Sequence, residues 1–135
     1  MTRRSRLLIV DDNPAVLEQA AELVARDFDV VGMLPDGATL REAVEQHRPD
    51  IVVLDLTLPG RNGLQLASDL RQSTLVPRVV LLTVHGDADY VRAAFAAGAS
   101  GYVVKMRMVQ DLVPALKAAA RGETFVSDGV DADGD

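Results

Sequence analysis

Residues 51–55 read Ile51-Val52-Val53-Leu54-Asp55, four bulky apolar side chains in succession closed by an acid. A strand with one wet face alternates apolar and polar residues, so an unbroken run of this length suits a strand covered on both faces of a parallel sheet. Working outward, runs of the same kind recur at residues 7–10, 30–34, 79–82 and 101–104. The stretches between them carry apolar residues at helical spacing. These are Leu17, Ala20, Ala21 and Val24, then Leu40, Ala43 and Val44, then Leu66 and Leu70, then Val91 and Phe95 before Gly98, and last Leu112, Ala115, Leu116 and Ala119 before Gly122. Pro114 would interrupt the last helix, so the reading starts that helix late, with Asp111 as N-cap and the proline in the first turn. The order βαβαβαβαβα demands a parallel five-stranded sheet with helices on both faces, an α/β doubly wound fold. Alternation alone leaves the strand order open, 2-1-3-4-5 being one of two common solutions.

A chain of 135 residues, 48% apolar and 25% charged, is the size of one domain with a sizeable core. Two Tyr, three Phe and no Trp supply too few ring faces for a base-stacking surface, and a net charge of -6 disfavours a polyphosphate partner. Four acids, Asp128, Asp131, Asp133 and Asp135, fall at the end of the chain, and without them the net charge is only -2. Residues 1–124 are therefore read as the domain and 125–135 as an acidic, disordered tail. The absence of cysteine removes disulfides, thiolate metal sites and a Cys nucleophile. Arg3, Arg4 and Arg6 precede a short apolar run that ends at Asp11, which is no secretory segment, and no run is long enough to span a bilayer. A cytoplasmic protein is expected, with no membrane partner.

In open α/β sheets ligands sit beyond the carboxyl ends of the strands. Asp11-Asp12 follows the first run, Pro35-Asp36 the second, Asp55 the third, Thr83 the fourth and Lys105 the fifth. Each has an ordinary reading. Asp11-Asp12-Asn13-Pro14 by itself is a turn and helix cap, Lys105 a solvated strand end, Thr83 a strand residue or local cap. Asp55 is harder to set aside, because an acid directly after a buried run is costly to desolvate. The coincidence of all four segments at one sheet edge favours a shared site. Converging carboxylates need a counter-charge, and Mg²⁺ meets that need through oxygen ligands while leaving room for phosphate oxygens. An ammonium and a hydroxyl beside it suit phosphoryl transfer, which is largely positioning and charge neutralisation.

Leu-Ile-Val-Asp11-Asp12-Asn13, Val-Val-Leu-Asp55-Leu-Thr-Leu-Pro59-Gly60-Arg-Asn-Gly63, Leu-Leu-Thr83 and Ala97-Gly98-Ala-Ser-Gly101-Tyr102-Val-Val-Lys105 together resemble the receiver domains of two-component response regulators. The resemblance spans about residues 5–124, and Leu112 to Glu123 resembles the subclass that carries a C-terminal helix-turn-helix output domain. It implies a flavodoxin-like (βα)5 fold with strand order 2-1-3-4-5. It implies Asp55 as phosphoacceptor for a sensor histidine kinase, Asp11, Asp12, Asp55 and the Thr57 carbonyl as Mg²⁺ ligands, and Lys105 and Thr83 as groups that bond the phosphoryl oxygens. Thr83 and Tyr102 take the switch positions that act on the face of the fourth helix, fifth strand and fifth helix, through which a homodimer could form. DNA would be reached only through an output domain, for which the dozen residues after Glu123 are too few. The domain would catalyse only its own phosphorylation and dephosphorylation, so it is not read as a conventional enzyme. Val84 is bulkier than the residue commonly after the threonine, and Met106 stands where many members have proline. Thr57 and His85 each lie two places past a site residue; His85 is read as an exposed loop residue and His47 as a helix-end residue.

Three other readings compete. A flavin or nucleotide module would want backbone donors after the first strand, where this chain has two acids and Pro14. An aspartyl phosphatase would want a second acid two residues past Asp55, where Thr57 stands. An unphosphorylated scaffold receiver has all the site residue types and ranks below the active switch.

Overall fold

The computed structural model describes residues 4–72 and 76–127. Its main strands are β1 (Arg6–Val10), β2 (Asp29–Leu34), β3 (Ile51–Asp55), β4 (Arg78–Thr83), β5 (Gly101–Val104) and β6 (Phe125–Val126). The helices are α1 (Pro14–Val24), α2 (Leu40–His47), α3 (Gly63–Leu70), α4 (Ala88–Ala96) and α5 (Met108–Ala120), with a 3₁₀ turn at Lys105–Arg107. The sheet order is β2-β1-β3-β4-β5-β6, and every pair in it is parallel. The α/β doubly wound, flavodoxin-like order 2-1-3-4-5 holds for the first five strands.

Successive strand residues point to opposite faces, and the core divides accordingly. Leu7, Ile9, Val53, Leu82 and Val103 pack with Ala20 and Val24 of α1 and Leu112 and Leu116 of α5. Leu8, Val10, Leu54, Leu81 and Tyr102 pack with Val44 of α2, Leu66 and Leu70 of α3 and Val91 of α4. Each such side chain contributes roughly 1.5–3 kcal/mol by leaving water, which is why the apolar runs were legible as strands.

Two expectations change. The fifth helix begins at Met108 rather than after Asp111, so Pro114 lies inside it. The proline cannot donate to the carbonyl one turn back. The helix persists because Leu112, Ala115, Leu116 and Ala119 are buried, and because Arg107 clamps Asp111 at 2.8 and 3.3 Å. Asp111 is thus an interior residue and not a cap. Burial opposes its charge, but hydrogen bonds from Arg107 and Ser127 outweigh that and hold its carboxyl below the ordinary range.

The other change concerns the boundary at 124/125. Phe125 and Val126 pair with Gly101 and Tyr102 as a sixth strand. Ser127 is buried; its N–H donates to the Tyr102 carbonyl at 2.9 Å, and its hydroxyl oxygen accepts from the Val104 N–H at 3.2 Å. A bare β5 edge would expose a row of backbone groups, and this short return segment covers part of it. Residues 128–135, the rest of the expected tail, lie outside the described residues. Among the described residues no helix is long and apolar enough to cross a membrane.

Candidate functional site

Local rules bring the strand ends together. The Asn13 side chain caps α1 by accepting from Ala15 N–H at 2.9 Å, with Pro14 at the first helical position. The cap reading of this segment is therefore right for Asn13, yet it leaves both preceding acids available. Asp11 is 1% exposed and accepts from Asn13 N–H through Oδ1 at 2.9 Å. Asp12 is exposed.

Beyond β3 the chain forms a small antiparallel ribbon, Thr57–Leu58 against Arg61–Asn62, that sequence periodicity did not show because each arm has two residues. Pro59-Gly60 makes its turn, with Gly60 at φ 76°. The ribbon feeds α3 at Gly63, where a Cβ would stand 2.3 Å from the Asp55 carbonyl oxygen and 2.7 Å from Leu56 Cα. Only glycine permits that approach, and it sets the backbone that presents Asp55.

Carboxylate oxygens of Asp11, Asp12 and Asp55 lie within 4.8 Å of one another. Lys105 closes the group from the start of the 3₁₀ turn, its Nζ 2.9 Å from Asp11 Oδ2 and 3.3 Å from Asp55 Oδ2. The Lys105 ammonium is the partner of the buried Asp11 Oδ2, which has no other donor. Asp55 is 4% exposed, and its Oδ1 accepts from Thr57 N–H at 3.0 Å. Burial, aided by Asp11, pushes the Asp55 carboxyl above its usual value against the opposing pull of Thr57 N–H and Lys105. Burial alone would lower the Lys105 ammonium, but the two carboxylates outweigh it and raise it. Three acids facing one lysine leave an excess of negative charge. That donor set fits a hard divalent cation.

Thr83, at the end of β4, is fully buried, and its Oγ1 accepts from His85 N–H at 3.1 Å. It shares the sheet face of Val79 and Leu81, on which Tyr102 also packs. Tyr102 is wholly buried and donates from its hydroxyl to the His85 carbonyl at 2.6 Å. Burial, then the nearby Asp87 and Tyr90, pushes its pKa up to about 12. The Tyr102 ring is thus inside the fold while Thr83 is bonded to its own loop. His85 is more than an exposed loop residue: half-buried, it stacks on Tyr90 at 4.4 Å between centroids, and its Nε2 lies 3.4 Å from Thr57 Oγ1. No sequence spacing signalled the role of the His85 backbone carbonyl; the aromatic at 90, third residue of α4, was a hint only of the ring stacking. Asp36 stays apart from the cluster, its carboxylate accepting from Ala38 N–H at 2.9 Å in a local turn. His47 ends α2 as expected.

The family model for the response regulator receiver domain matches residues 7–117. The chain is 36% identical over 126 residues to the nitrate/nitrite response regulator protein NarL of Escherichia coli K12, covering 92% of this chain and 58% of that protein. It is 35% identical over 115 residues to the transcriptional regulatory protein PdtaR of Mycobacterium tuberculosis, covering 84% of this chain and 56% of that one. The crystal structure of a LuxR-family two-component response regulator from Aurantimonas sp. SI85-9A1 superposes with TM-score 0.89 at 35% identity, covering 95% of this chain and 93% of that chain. The chain spans little more than half the length of the curated relatives it matches. With the acidic cluster, the lysine and the buried threonine at the carboxyl edge of a doubly wound sheet, these matches make the chain a member of the response regulator receiver domain family, the receiver domain of a two-component response regulator.

Proposed function

We propose that Asp55 accepts a phosphoryl group from the phosphohistidine of a sensor kinase, and that the acyl phosphate so formed biases the α4–β5–α5 face. The carrying observation is the Lys105 ammonium held between two buried carboxylates, at 2.9 Å from Asp11 and 3.3 Å from Asp55. A carboxylate oxygen of Asp55 attacks phosphorus; the P–N bond breaks, and the histidine ring leaves with the electron pair and takes a proton. Burial that raises the Asp55 pKa makes its carboxylate a stronger nucleophile. Asp11, Asp12, Asp55 and the Thr57 carbonyl would hold Mg²⁺, which neutralises charge on the transferring group. Lys105 can exchange its Asp55 contact for a phosphoryl oxygen without leaving Asp11. Thr83 accepts from His85 N–H, so its own hydroxyl proton is still available to donate to the phosphoryl group.

That donation exists only in the phosphorylated state and supplies the differential contact a switch needs. Tyr102 reports on the same loop through His85, so the bond to the His85 carbonyl links the Thr83 segment to β5. A second copy of the chain docking on the α4–β5–α5 face, and an output domain that contacts DNA, complete the reading. The chemistry is confined to the domain's own phosphorylation and hydrolysis of the acyl phosphate. The nucleotide alternative finds no support, since the Ala15 N–H at the start of α1 is already satisfied by Asn13. The test is intact mass after incubation with a small phosphodonor. One added phosphoryl group with Mg²⁺, absent without metal and in Asp55→Asn, supports the reading; equal labelling of Asp55→Asn overturns it.

A further inference from the structure

The opposite edge of the sheet, where the strands begin, carries a hollow of about 530 Å³ lined by Ser5, Arg48, Pro49, Val76, Pro77 and Arg78 among others. We infer that this hollow is a second ligand site, one that takes an organic phosphate: a phosphate group with a flat or apolar body, such as a nucleoside diphosphate. Arg48 and Arg78 carry no side-chain hydrogen bond or ion pair among the described residues. The cations of the adjoining hollow are already engaged. That hollow measures about 370 Å³ and shares Ser5 and Ala120 with the first. In it Lys117 faces Asp27 at 3.9 Å, Arg121 binds Glu123 at 2.9 Å, and Arg4 donates to the carbonyls of Ala25 and Arg26. Two guanidinium groups without a partner therefore line the same hollow, whereas the hollow between α2 and α3 has only Arg41.

Arg48 also occupies a position that resists it. It is the C-cap of α2 at φ 49°, the left-handed conformation that glycine or asparagine adopts at lower cost, and the following Pro49 narrows its backbone further. That conformation caps the helix, the Arg48 N–H donating to the Val44 carbonyl at 2.9 Å, and the Arg48 residue lines the hollow. Arg78 starts β4, with its guanidinium beside Gly122. Asp50 also lines the hollow, its Oδ2 accepting from Arg6 N–H at 2.7 Å, so the two arginines leave the lining one positive charge in excess. Guanidinium forks bind phosphate in two-point fashion, and the Ser5 hydroxyl adds a donor. Pro49, Val76, Pro77 and Ile51 offer the apolar wall that a bare phosphate site would lack, and the volume falls in the range of small-molecule sites.

The test is calorimetric titration of the whole chain with ADP, inorganic phosphate and adenosine, each without Mg²⁺ and with chelator so that the acidic edge takes no part. ADP binds, and more tightly than either part alone. Arg48→Gly and Arg78→Gln each weaken it about tenfold or more, while Asp12→Asn at the far edge leaves it unchanged. Arg48→Gly relieves the backbone strain, so its melting temperature stays level or rises and loss of binding is not loss of fold. Absence of ADP binding, binding intact in both arginine variants, or phosphate binding as tightly as ADP overturns the inference.

Discussion

The two edges of one sheet hold charge in opposite ways. At the carboxyl edge Asp11 and Asp55 are buried and share one ammonium, so each group's ionisation depends on the others. At the amino edge Arg48 and Arg78 are exposed, lie beside solvent and share no partner. Burial makes the first edge a place where a change of charge is felt by the fold, and exposure lets the second carry charge at little cost to stability. The proposed phosphoryl switch suits the first; the proposed ligand, which comes and goes without moving the fold, suits the second.

Substitution sharpens this contrast, beginning with glycine. Gly63→Ala sets a Cβ into the backbone of Asp55 and Leu56, and the loss of stability in chemical denaturation exceeds about 3 kcal/mol. Gly122→Ala at the other edge meets nothing nearer than 3.5 Å and costs only its positive φ, about 1 kcal/mol. Similar losses at both positions would break the contrast.

Lys105→Ala comes next, because it leaves two buried carboxylates without their cation: a loss of about 2–3 kcal/mol at neutral pH. A carboxyl whose folded pKa lies above its unfolded value adds stability at low pH and withdraws it as pH rises through the folded value. Asp55 is such a group already, and more so without the lysine. The deficit of Lys105→Ala therefore grows as pH rises above the ordinary carboxylate range, as read by denaturation midpoints across pH. A deficit flat in pH would mean that the lysine acts only by packing.

The smallest effect is expected at Tyr102→Phe, which deletes one buried hydrogen bond and costs about 1 kcal/mol. Ultraviolet titration checks its environment. In the parent one phenol ionises near 12, and that step is missing from the variant. Because the folded pKa is raised, the contribution of this phenol is full below its unfolded value of about 10 and is lost as pH rises through about 12.

What was legible in the sequence follows the same division. Asp11, Asp55 and Thr83 each stand at the end of an apolar run, so the rule that reveals a strand also reveals its carboxyl end, and such ends share one edge once the sheet is parallel. Lys105 was found the same way, although it begins a 3₁₀ turn rather than ending the strand. Phe125-Val126 was hidden because two residues carry no period, and the start of α5 because the rule against internal proline yields to a buried face and to the Arg107–Asp111 clamp. The bond from Tyr102 to the His85 carbonyl engages a backbone atom, to which side-chain patterns are blind. Arg48 and Arg78 sit at a helix end and a strand start with no shared spacing, and only the fold sets them in one hollow.

The central claim is that one carboxylate, Asp55, becomes covalently phosphorylated in a cation-dependent pocket. Borohydride reduction after treatment with phosphodonor and Mg²⁺ converts an aspartyl phosphate to homoserine, and peptide mass spectrometry then locates it. The account predicts homoserine at position 55 alone and none when the metal is chelated; conversion at Asp11, Asp12 or any other acid, or conversion at 55 that is indifferent to the metal, would contradict it.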